Sequence, residues 1–157
     1  MKQRFVWSAL ILAGLVLVLA ACGSQGTSNG QSDTYDVTLQ LLHNDEIGDY
    51  LADGKGMTLY YFTKDEPGES YCKDQCLEAW PPLYGSHPKV PEGFKASDFG
   101  TITREDTGKE QITYKGYPLY YFTPDKKKGD VKGQGVKGVW YIVNAETEFS
   151  AKEGMDY

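Results

Sequence analysis

Two cysteines stand four residues apart in Cys72-Lys73-Asp74-Gln75-Cys76. That spacing admits three chemistries. On one helical turn the Cα atoms lie about 6 Å apart, within reach of a disulfide. As thiolates the pair suits a soft ion of the copper(I) kind, with His87 or Met57 as a third ligand. As a dithiol with a pKa depressed by Lys73 or a helix end, it forms a reversible redox couple. A structural disulfide is the reading that an exported domain favours. The other two stay open.

Asp65 and Asp125 form a second candidate set, because glycoside hydrolysis needs two carboxyl groups facing each other across a sugar. Each closes the same aromatic run. Leu59-Tyr60-Tyr61-Phe62-Thr63-Lys64-Asp65 returns as Leu119-Tyr120-Tyr121-Phe122-Thr123-Pro124-Asp125. Aspartate just past a strand commonly closes a turn or caps a helix, so a non-catalytic role is expected for both. The aromatic residues are expected to form core, with a stacking platform for a glycan or aromatic ligand as the alternative. His43 and His87 share no spacing pattern. No Ser/His/Asp arrangement and no dinucleotide fingerprint is present. The run from Lys126 to Gly138 carries five lysines and is the one basic stretch. It reads as a solvated, mobile loop, with anion binding as the alternative, and it lacks the Gly-Lys-Ser/Thr order of a nucleotide loop.

These residues are placed by a duplication. Lys55 matches Lys115 and Trp80 matches Trp140, at the same offset of sixty as the aromatic runs. One supersecondary unit is therefore used twice, in copies over about 48–83 and 100–143. In copy one, Val37, Leu39 and Leu41 alternate with polar residues as in a half-buried strand. Met57–Thr63 reads as a strand with Tyr60 and Phe62 on one face and Leu59, Tyr61 and Thr63 on the other. In copy two, strands are predicted over 100–104, 111–114, 119–123 and 139–143, with Lys115-Gly116 as a tight hairpin connection. A helix is predicted over Ser70–Trp80, capped by Ser70 or Asp65 and ended by Pro81-Pro82. The fold class is thus mainly β: a two-repeat antiparallel β domain over 34–150 with one short helix.

The N-terminus reads as a signal segment, 1–21. Lys2 and Arg4 precede an apolar run, Phe5–Leu19, too short to span a membrane, which needs about 20 residues. Leu19-Ala20-Ala21-Cys22 looks like a bacterial lipobox, with cleavage before Cys22 and lipid on its thiol. Residues 22–33 carry no apolar residue to bury and read as a flexible tether with a reach of roughly 20 Å. Acyl modification of Cys22 is the only non-protein group expected, and it anchors the chain to a membrane on the extracytoplasmic side. Losing the cations Lys2 and Arg4 takes the formal charge from −6 to −8, which argues against nucleic acid as a partner.

The order Tyr60-Tyr61-Phe62, Asp65, Ser70, Cys72, Cys76, Trp80-Pro81-Pro82-Leu83, then Tyr114-Lys115-Gly116, Pro118 to Phe122, Asp125, Gly133-Gln134-Gly135 and Trp140, resembles the secreted-repeat lipoproteins of bacteria. That family carries a duplicated Tyr-x-(aromatic)-x-x-Asp motif. The resemblance implies a lipoprotein of the cell envelope with repeat architecture, and implies no activity. The expected role is a non-catalytic binding or interaction module, partnered by an envelope protein or small ligand. The alternative is a redox or copper-handling lipoprotein centred on Cys72 and Cys76.

Overall fold

The computed structural model describes residues 36–149. The expected signal segment, Cys22 and tether lie outside these residues. The chain opens with β1 (Val37–Asn44), which turns back into β2 (Gly48–Asp53). Asn44 makes that turn by accepting the amides of Glu46 and Ile47 on its side-chain oxygen. Then come β3 (Tyr60–Phe62), the helix α1 (Gln75–Ala79) and β4 (Pro88–Lys89), the last lying parallel to β1. Copy two contributes β5 (Phe99–Thr103), β6 (Glu110–Tyr114), β7 (Tyr117–Pro118) and β8 (Trp140–Ile142). The strands form three small sheets in the orders β2-β1-β4, β3-β8 and β5-β6-β7. The protein is mainly β, as its strand patterns predict.

Neither copy closes on itself. Leu51 of copy one donates its amide to Val143 of copy two at 2.7 Å, and Ile112 of copy two donates to Leu83 of copy one at 2.9 Å. β3 of copy one pairs with β8 of copy two in antiparallel register, Tyr60 opposite Ile142 and Phe62 opposite Trp140. At the centre Tyr60 and Tyr120 exchange both backbone hydrogen bonds, each at 2.9 Å. The two copies are therefore related by a local twofold through this pair.

The alternation expected for the aromatic run is seen in both copies. Leu59 and Tyr61 face one core layer, with Leu39, Leu51, Leu83, Ile112, Leu119 and Val143. Tyr60 and Phe62 face the other, with Tyr50, Trp80, Tyr120 and Trp140. Each fully buried Leu, Ile or Val here contributes about 1.5–3 kcal/mol. The Lys115-Gly116 turn joins β6 to β7, with both residues at positive φ (49° and 87°), as a tight two-residue hairpin requires.

Two expectations are corrected. The return strand predicted over 119–123 is not a ladder continuing β7. Tyr120 bridges singly to Tyr60 and Pro82, while the Tyr121 and Thr123 amides donate to Pro81 and Ala79 of the other copy. The helix predicted over 70–80 covers only Gln75–Ala79. The stretch before it is held by tertiary partners instead. Asp65 takes the Tyr71 amide, and Arg104 takes the Cys72 carbonyl. Asp74 then adopts φ 53°, outside the helical range, and caps α1 without a side-chain bond. Neither Ser70 nor Asp65 serves as the cap.

Candidate functional site

The repeated tyrosines and aspartates are exchanged between the copies. Tyr60 Oη donates to Asp125 Oδ2 at 2.7 Å, and Tyr120 Oη donates to Asp65 Oδ2 at 2.7 Å. The other oxygen of each carboxylate ties down its own loop. Asp65 Oδ1 accepts the Tyr71 amide at 2.7 Å, and Asp125 Oδ1 accepts the Lys132 amide at 3.0 Å. The turn-closing role expected of these aspartates is thus half of what they do. All four residues are buried. Burial raises the pKa of Asp65 to about 6, against the Tyr120 hydroxyl, the Tyr71 amide and Arg104, which favour the carboxylate. Burial raises Asp125 as well. Burial and the adjoining carboxylates push both phenols well above the ordinary tyrosine range.

The two halves differ in how they complete the tyrosine. Tyr60 Oη accepts the Gly133 amide at 3.2 Å. A side chain at Gly133 is precluded, since a Cβ there would lie 2.7 Å from the Tyr60 ring. Tyr120 Oη instead meets Ser70 Oγ at 2.7 Å. Its single proton goes to Asp65, so Ser70 donates to it. Ser70 in turn accepts from Arg104 Nη1 at 2.9 Å. Arg104 also donates to Gln111 Oε1, the Cys72 carbonyl and both oxygens of Asp106, which uses all five of its N–H groups. Arg104 is 3% exposed. The pairing with Arg104 holds the Asp106 carboxyl below its usual range.

An aromatic column crosses the twofold. Trp80 and Trp140 stack with centroids 3.8 Å apart and planes 3° apart. Phe62 stacks on Trp140 at 4.3 Å, and Phe122 on Trp80 at 4.1 Å. Tyr60 and Tyr120 meet the tryptophans edge-on at 5.4 and 5.2 Å. The tryptophans are buried, so the column is core, as its residue types suggest.

Cys72 and Cys76 form a disulfide with Cα atoms 5.3 Å apart. It joins the loop to the first turn of α1. Cys72 is fully buried. His87 lies by β4, its amide on Asp36 and its Nδ1 on Ser86 Oγ. Met57 lies in the turn after β2, its amide on Asp53. Among the described residues no three His, Cys, Asp or Glu side chains converge in a way that would hold a metal. The set Cys72, Cys76, His87 is therefore not assembled.

The lysines from Lys126 to Lys137 are exposed, but the backbone between them is tied in place. The Asp130 carboxylate accepts the amides of Lys126 and Lys127. It thus fills the backbone nest that an outside anion would take. A cleft of about 270 Å³ is lined by Gly68, Glu69, Ser70, Lys73 and the run Ile102–Asp106. Lys73 and Glu105 face each other there at 3.7 Å. Arg104, which organises its floor, escapes a reading based on repeats because no counterpart exists in copy one. Its signal in the sequence is that it is the one arginine beyond Arg4, where every other cation is lysine.

Two stretches of the chain, residues 42–84 and 100–144, match one family model, a lipoprotein family described as a secreted repeat of unknown function. The chain belongs to this family. The matched spans cover more than half of it and enclose both copies read from the offset of sixty. In this chain the two matched stretches carry the interlocked strands and the exchanged Tyr–Asp pairs. No helix among its described residues is long and apolar enough to cross a membrane. Neither the curated proteins nor the solved structures yield a match to it.

Proposed function

We propose that this secreted repeat is a non-catalytic binding module of the bacterial cell envelope, anchored on the extracytoplasmic side by lipid on Cys22. One observation carries the non-catalytic reading. Both repeated carboxylates are buried, and each of their oxygens already accepts a bond, one from the other copy's tyrosine and one from a backbone amide. A general acid or nucleophile needs a face open to substrate, and these have none. What repeats is scaffold. The cleft between Gly68–Lys73 and Ile102–Asp106 has no counterpart in the duplicated motif, and it offers mixed charge at its mouth with rigid walls behind. The ligand class this suits is a small polar envelope component. Titration of isotope-labelled protein with peptidoglycan fragments and other soluble envelope extracts tests this, read by amide chemical shifts. Shifts clustered on Lys73 and Ile102–Asp106 support the reading. Turnover of any added component that Asp65→Asn abolishes without unfolding the protein contradicts it. Loss of fatty-acid labelling in Cys22→Ala tests the anchor separately.

A redox role for Cys72–Cys76 is the second reading. It is favoured by the partial exposure of Cys76, which leaves a route for an attacking thiolate. Copper(I) handling belongs with it, because the bond must be reduced before either sulfur can ligate a metal.

A further inference from the structure

We propose that Lys55, Lys126, Lys127 and Lys128 form a basic face that docks the domain on the anionic phospholipid headgroups of the membrane to which it is tethered. Two turns bring the four together. Lys128 lays its side-chain stem directly over Gly56, at φ 84°, where a side chain would find no room. The Gly129 amide donates to the Gly56 carbonyl at 3.1 Å, which fixes the lysine loop against the turn that carries Lys55. All four lysines are exposed, and among the described residues none of them makes an ion pair. The carboxylates of the same turns are engaged by backbone instead. Asp53 accepts the Lys55 and Met57 amides. Asp130, whose side chain is 9% exposed, accepts those of Lys126 and Lys127. The acids hold the turns in shape and the cations face outward.

The position of this face selects a membrane as its occupant. It lies at the end of the domain where the chain from Cys22 arrives. β1 begins at Val37, and Gly54 packs against Thr38. Asp36, beside this entry, is held by the Ser86 and His87 amides. The residues between Cys22 and Val37 reach at most about 50 Å when extended, so the bilayer is the anionic surface always within range. Asp45, Glu46 and Asp49 lie in the hairpin at the other end of β1, about 25 Å away. Salt screens charges over about 8 Å, so a domain of net negative charge still presents a cationic face at its tethered end.

The duplication sets the opposite charge on the opposite flank. The Gly68 amide donates to the Gly116 carbonyl as the Gly129 amide does to Gly56. In copy one that loop carries exposed Glu66 and Glu69 where copy two carries lysines. The local twofold therefore puts a basic loop on one flank and an acidic loop, with the cleft it borders, on the other. With the lysines on the headgroups, the cleft is left clear of the membrane. This rests on the membrane placement proposed above, but on neither the cleft's ligand nor the acyl group itself. The unprocessed chain still carries the apolar run Phe5–Leu19 to insert it in a bilayer.

Amine-reactive labelling of the full chain reconstituted in vesicles tests it, with each lysine read by mass spectrometry. On vesicles of roughly one-third phosphatidylglycerol in phosphatidylcholine, labelling of Lys55, Lys126, Lys127 and Lys128 is expected to slow at least about threefold relative to pure phosphatidylcholine. Lys73 and Lys109 are expected to label equally on both. The protection is expected to vanish in about 1 M salt, where the screening length falls to about 3 Å. Lys127→Glu with Lys128→Glu, both at exposed positions, is expected to abolish it at Lys55 and Lys126. Failure of the anchor shows separately, as absence of fatty-acid labelling, and leaves the protection in place. Equal labelling on both vesicles, or protection that survives salt or the double substitution, overturns the proposal. So does protection given by soluble polyphosphate and not by anionic vesicles.

Discussion

Tyr60 and Asp125 are sixty-five residues apart in the chain and 2.7 Å apart in the fold. The same bond is made by Tyr120 and Asp65 in the opposite direction. Each copy thus supplies the donor for one pair and the acceptor for the other. Backbone pairing follows the same rule: Tyr60 with Tyr120, Leu51 with Val143, Ile112 with Leu83. A single copy would leave one buried carboxylate oxygen without its tyrosine donor and one buried phenol without its carboxylate acceptor, at a cost of about 1–3 kcal/mol for each group. The duplication is therefore a condition of folding, and one copy alone is not a smaller version of the domain.

Acid should stabilise the protein through Asp65. Its pKa is raised to about 6 in the fold, against an ordinary value of 3.8. Between these values the folded state holds more protons than the unfolded one, so the contribution is present below about pH 4 and lost as pH rises through 6. The difference is of the order of 2–3 kcal/mol. Asp36 and Asp106, whose pKa values are lowered, contribute in the opposite sense. The comparison that isolates Asp65 is therefore the difference in urea midpoint between the wild type and Asp65→Asn at pH 4, 5, 6 and 7. That difference is expected to shift in favour of Asp65→Asn as pH rises. A difference constant across this range contradicts the assignment.

Arg104 should tolerate no replacement. Arg104→Met leaves Ser70, Gln111, the Cys72 carbonyl and Asp106 without their donor, and is expected to cost about 3–5 kcal/mol in urea unfolding. Arg104→Lys should also destabilise strongly, since three donors on a point charge cannot replace a five-donor fork. A loss under about 1 kcal/mol in Arg104→Lys would show that the network is not what holds the loop before α1.

The disulfide closes a short loop, so its removal should be felt but survived. Chain-entropy arguments give about 2 kcal/mol for Cys72→Ser with Cys76→Ser. Equilibration with glutathione buffers separates the structural from the redox reading. A potential below about −300 mV fits a structural bridge, and one near −200 mV fits a working couple.

Much of this is legible in the amino-acid sequence. The offset of sixty announced two copies, and the alternation in Leu59–Phe62 assigned its residues to the right core layers, because side-chain direction in an extended chain follows from position alone. The spacing of Cys72 and Cys76 admits the disulfide that forms, alongside metal binding and a redox couple. The exchange of Tyr60 and Tyr120 between copies was not legible, since a repeat states that two units are alike and says nothing of which unit each one bonds. The length of α1 is not legible for a related reason. Ser70–Asp74 carries no helix breaker, yet its backbone groups are claimed by the side chains of Asp65, just upstream, and of Arg104, in the other copy. Arg104 itself sits outside every repeated feature.

The exchange between copies is tested most directly by a double-mutant cycle on Tyr120→Phe and Asp65→Asn, with Tyr60→Phe and Asp65→Asn as the same-copy control. Unfolding free energies at pH 7 are expected to give a coupling of about 1–3 kcal/mol for Tyr120 with Asp65, and a clearly smaller one for Tyr60 with Asp65. Equal couplings, or a larger one within the copy, would contradict the interlocked arrangement.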